Sequence, residues 1–69
     1  MDKLSTEYLK PIVDETVEDI VKHDHGEFIE ENLKYLDMAI IIMCDRFKLI
    51  SRDQAVELRK TVVRELEKL

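Results

Sequence analysis

Between residues 29 and 50 the apolar positions fall at Ile29, Leu33, Leu36, Ile40, Met43, Phe47 and Ile50, in alternating steps of four and three. That spacing is a heptad seam and predicts one continuous helix through the region. Asp24 followed by Glu27 has the form of a capping box, which would satisfy unpaired amides at the helix start. The predicted span is about residues 25–48, with Lys48 placed to complement the negative end of the helix dipole. Ser51 followed by Gln54 matches the capping-box pattern in full and starts a further helix over about 52–68. Its apolar stripe is Ala55, Leu58, Val62, Leu66 and Leu69, widened by Val56 and Val63. An earlier helix, over about 6–23, carries Leu9, Val13, Val17 and Ile20 on one face, with Tyr8, Ile12 and Val21 beside them. Pro11 lies on its opposite, polar face and is expected to kink the first turns or to set the start of the regular helix. The segment from His23 to Gly26 is the connection, where glycine supplies dihedrals that other residues avoid.

Three amphipathic stripes predict an all-α fold: a small three-helix bundle forming a single domain over residues 1–69. The short connection between the second and third helices makes them an antiparallel αα-hairpin, with the first helix packed across it and the long second helix as the central element. Composition agrees. One glycine and one proline leave little material for β-hairpins, and 39% charged residues suit solvated helices. An apolar fraction of 45% argues against disorder. A domain this small buries only ~60% of the surface its unfolded chain exposes, and such domains often make up the deficit by oligomerising. Cys44 is the single cysteine, so no disulfide forms within the chain, which suits a reducing, cytoplasmic compartment. Met1-Asp2-Lys3-Leu4 offers no basic segment leading into an apolar stretch, so neither a secretory signal nor a membrane span is expected.

The central helix holds an anomaly. Met38 to Cys44 is an unbroken apolar run between Asp37 and Asp45, long enough to cover every side of a helix and far shorter than the ~20 residues of a membrane span. Ile40 and Met43 belong to the heptad seam. Tyr35, Ala39 and Ile42, with Phe28 and Leu49 towards the ends, form an adjoining face for a second neighbour. Ile41 and Cys44, with Met38 at their edge, then interrupt the polar stripe of Glu30, Lys34, Asp37 and Lys48. The expectation is a protein interface of Met38, Ile41, Cys44 and Tyr35, with a two-fold homodimer whose central helices cross near Ile41. The competing readings are a patch for a larger protein, or a neighbouring helix that wraps further round.

Charge divides the chain. Residues 1–44 hold four Lys/Arg against eleven Asp/Glu, whereas residues 45–69 hold seven against five. Asp14, Glu15, Glu18 and Asp19 crowd one face of the first helix, with like charges at four-residue spacing. That face is either solvated or a docking surface for a basic partner. Lys60, Arg64 and Lys68 form a stripe on the third helix, beside Arg59, that could track phosphates. Interleaved Glu57, Glu65 and Glu67, and the lack of a nearby aromatic for base stacking, weaken that reading. His23, Asp24, His25 and Glu27 are the only cluster of metal-ligand types, and a solvated turn with Asp24 as cap explains them better. No nucleophile–base grouping and no glycine-rich phosphate loop occurs, so neither enzymatic activity, metal nor cofactor is expected. The function expected is a non-enzymatic interaction module: a small regulator, adaptor or inhibitor that binds its own copy or a larger protein. The alternative is a nucleic-acid-associated regulator using the basic stripe.

Overall fold

Ser51 carries the capping box that its spacing predicts. The Ser51 hydroxyl accepts from the Gln54 backbone N–H at 3.2 Å, and the Gln54 side-chain carbonyl accepts from the Ser51 N–H at 2.7 Å. This starts α3 (Arg52–Glu67). It follows α1 (Thr6–His23) and α2 (Glu27–Asp45) in a computed structural model that describes residues 4–69. The described residues form three helices and no strand, a three-helix bundle as the stripes predict. No helix among them is long and apolar enough to cross a membrane.

Side-chain pairs fix the helix directions. Asp37 of α2 meets Arg59 of α3, and Ile41 and Asp45 lie near Arg52 and Val56, so these two helices are antiparallel. Asp14 of α1 meets Thr61 of α3, while Leu4 meets Gln54, so α1 and α3 run parallel. The bundle therefore goes up, down and up again. α2 is the longest helix, but α3 packs most closely against both others, and the seam between α1 and α2 is the loosest. The centre of packing is thus α3, where the heptad seam had suggested the second helix.

The core is aliphatic. Val13, Val17, Leu33, Ile40, Ile50, Ala55, Leu58 and Val62 are buried, with Leu9, Ile20, Ile29, Leu36, Met43, Cys44 and Leu66 packed against them. The predicted stripes of all three helices supply all of these but Cys44. Three expectations need correction. Asp24 does not cap α2: Gly26 is the N-cap, at φ 52°, and the Asp24 carboxylate instead accepts from the Asn32 side-chain amide at 2.6 Å. α2 stops at Asp45, short of Lys48, which takes a left-handed φ of 55° as the chain reverses. Phe47, a seam position on the heptad pattern, therefore leaves the helix and is exposed, while Ile50 reaches the core from the loop. α1 spans Thr6–His23 as expected, and exposed Pro11 lies inside it rather than at its start.

The start of the described chain is tied down. The Leu4 N–H donates to the Leu49 carbonyl at 2.9 Å, and the Leu4 carbonyl accepts from the Gln54 side-chain amide at 2.5 Å. The capping residue of α3 thereby also anchors the entry to α1.

Candidate functional site

A helix turns roughly 100° per residue, so Phe28, Tyr35 and Ile42, one heptad apart, lie along one line of α2, with Met38 and Ala39 on either side. All five are exposed. All but Met38 are residues expected to meet a second intramolecular neighbour. The neighbour takes the other flank. Asp37 and Arg59 form a two-pronged pair, Arg59 Nε to Asp37 Oδ1 at 2.6 Å and a terminal guanidinium nitrogen to Oδ2 at 3.0 Å. The Asp37 carboxylate holds the Arg59 pKa above its usual value, chiefly through this hydrogen bonding. With Asp37 bound to α3, Ile41 and Cys44, one and two turns on, are half-buried against it near Ala55 and Val56. Both line an open groove between α2 and α3 with Arg52 and Arg59, and Cys44 also packs against the core. Of the four expected interface residues, Met38 (57% exposed) and Tyr35 (65%) share the open face, whereas Ile41 and Cys44 lie on the α3 side.

α1 extends the open face. Its α3-facing flank is identified by Asp14, which accepts from Thr61 Oγ1 at 2.8 Å, and by Val21, which lines a shallow groove with Thr61 and Arg64. The opposite flank, towards α2, carries exposed Tyr8 and Ile12. Exposed apolar side chains thus lie on both helices: Tyr8 and Ile12 on α1, and Phe28, Tyr35, Met38, Ala39 and Ile42 on α2. All four aromatic residues of the chain, Tyr8, Phe28, Tyr35 and Phe47, are between 61% and 68% exposed. Aromatic side chains ordinarily dominate buried cores. The sequence pattern gives Phe28, Tyr35, Ala39 and Ile42 an intramolecular neighbour and sets Tyr8 and Ile12 beside the buried face of α1, but all six are exposed.

The polar candidates are dispersed. Asp14 turns to Thr61 and Lys10, Glu18 pairs with Lys22 at 2.6 Å, and Glu15 and Asp19 are exposed. The acidic face is thus split between the α3 side and solvent. The Glu18 carboxyl is held below its usual pKa by its hydrogen bond from Lys22. On α3, Lys60 pairs with Glu57 and Lys68 with Glu65, each at 3.0 Å. Arg64 has no carboxylate partner within bonding distance among the described residues, and it shares a concave strip of α3 with Arg59 and Lys60 but not Lys68. His23, Asp24, His25 and Glu27 do not converge: no group of three or more metal-ligand side chains is placed to hold an ion among the described residues. The chain matches no protein-family model, no curated protein and no solved structure.

Proposed function

We propose that this protein is a non-enzymatic interaction module that works by binding another protein chain, its own copy first, through the apolar face of α1 and α2. One observation carries the reading: the core is wholly aliphatic while every aromatic residue is on the surface. Aromatics and methionine are enriched in the buried centres of protein interfaces, and a contiguous apolar patch on a small domain is costly without such a role. The reading covers a regulator, adaptor or inhibitor that acts by occupying a larger protein. It does not require the acidic face of Asp14, Glu15, Glu18 and Asp19, half of which is already engaged within the bundle.

The test is the solution mass by light scattering over a concentration series. The wild type is expected near twice its 8.2 kDa at high micromolar concentration. Ile42→Lys is expected to return a folded monomer, because Ile42 faces outward. Ile41→Lys is expected to lower helicity and melting temperature, because Ile41 is half-buried beside α3. A monomeric wild type that also binds no hydrophobic-surface probe, such as an anilinonaphthalene dye, would remove the basis for the module.

A second reading, association with nucleic acid, is favoured by one feature: Arg59, Lys60 and Arg64 lie along one strip of α3. Two of those charges are already spent on Asp37 and Glu57. Phosphate binding by the remainder would show as affinity for generic duplex that falls as salt rises, and no binding at low salt counts against it.

A further inference from the structure

The charges that flank the apolar stripe of α2 define how a second copy would sit on it. Glu27, Glu30 and Glu31 crowd the N-terminal end of α2, with Lys34 paired to Glu30 at 2.9 Å. Arg46 and Lys48 follow its C-terminal end, beside Asp45, and both are exposed. The stripe between them, Tyr35, Met38, Ala39 and Ile42, is uncharged. Each end thus carries an excess of one sign, negative first and positive last.

We infer that two copies associate through α2 in an antiparallel two-fold arrangement, centred between Met38 and Ala39, with Glu31 of each copy opposite Arg46 of the other. The inference rests on the homodimer reading above and specifies it. A parallel pairing would place the acidic ends together and the basic ends together, so every flanking charge would meet its own sign. An antiparallel pairing joins acid to base at both ends, and two-fold symmetry makes the contact twice. The centre follows from the levels along the helix. With the axis between Met38 and Ala39, Glu31 is level with Arg46 of the second copy, and Tyr35 is level with Ile42. Met38 and Ala39 then meet across the axis, where a small residue lets the helices approach. Phe28 comes to the end of the second copy where α2 gives way to its loop, the end that also carries Phe47 and Tyr8. The exposed aromatics of one copy are therefore brought towards those of the other.

Charge exchange tests the arrangement in the intact chain. Glu31→Arg and Arg46→Glu each place like charges level at both symmetric contacts. Each is expected to weaken dimerisation by about tenfold at low salt. The double variant, Glu31→Arg with Arg46→Glu, restores opposite signs and is expected to recover most of the affinity. All these side chains are exposed, so the fold is kept, and helicity confirms it. Cross-linking provides a second readout, in a Cys44→Ala background. Ala39→Cys lies beside the axis and is expected to form a disulfide dimer on oxidation. Phe28→Cys is not, because antiparallel α2 helices separate the two copies of residue 28 by ~30 Å. A wild-type dimer whose single and double variants all bind alike, or one in which Phe28→Cys cross-links to itself, overturns the antiparallel arrangement and leaves the homodimer standing. A monomeric wild type overturns both.

Discussion

Lys48 is the residue whose backbone is least suited to its side chain. Its φ of 55° lies in the left-handed region, where a Cβ crowds the following carbonyl. Glycine has no such cost, and it is the residue most often found where a helix end reverses the chain. Lys48 is exposed, so its side chain contributes no core packing. Lys48→Gly is therefore expected to raise stability by about 1 kcal/mol, offset in part by the greater freedom of the unfolded chain. Gly26 is the converse. It also has positive φ, at 52°, and open space where a Cβ would project. Gly26→Ala is expected to cost about 1 kcal/mol through the backbone alone. Urea midpoints of the two variants, moving in opposite directions from the wild type, check both. Only the glycine was legible beforehand. Gly26 announces itself by composition, whereas nothing in a lysine signals left-handed dihedrals.

Helices two and three hold together by packing and by one directed contact. Asp37 has only 17% of its side chain exposed, and Arg59 meets it with two parallel hydrogen bonds. Arg59→Ala is expected to cost about 1–2 kcal/mol, since it strips a half-buried carboxylate of both donors. Arg59→Lys keeps the charge but loses the fork, and is expected to recover less than half of that. Thermal melts of the two variants beside Asp37→Asn measure it. The same contact explains what could and could not be read at this scale. The start of α3 was fully legible, because Ser51 and Gln54 specify a local geometry that needs no partner. The end of α2 was misplaced because Phe47 and Ile50 continue the heptad rhythm. A loop residue that reaches back into the core, as Ile50 does, satisfies the same period as a helical one. The flanks of α2 were exchanged for a different reason. A helical wheel shows which residues share a side, but not which neighbour occupies it. The choice between the Ile41 flank and the Ile42 flank is made by Asp37 and Arg59, two residues far apart in the chain.

At the level of the molecule, an aliphatic core of eight buried side chains holds three helices without a disulfide. Folding of so small a domain is marginal, and any partner that covers the open face adds to its stability by mass action. The bundle itself was legible because each of its three stripes repeats at helical period and its connections are short. Its working surface was not, because covered and uncovered apolar residues share the same chemistry and period. The segregation of aromatic from aliphatic side chains has a spectroscopic consequence. There is no tryptophan, and the four aromatic rings lie outside the packed interior. The near-ultraviolet dichroism of an isolated copy should therefore be weak even when it is fully folded, because rings in solvent lack a fixed chiral environment. Association would supply that environment. Concentrating the protein is expected to raise the tyrosine band while the far-ultraviolet helical signal per residue stays constant. In most proteins the aromatic band reports folding; in this one it would report company.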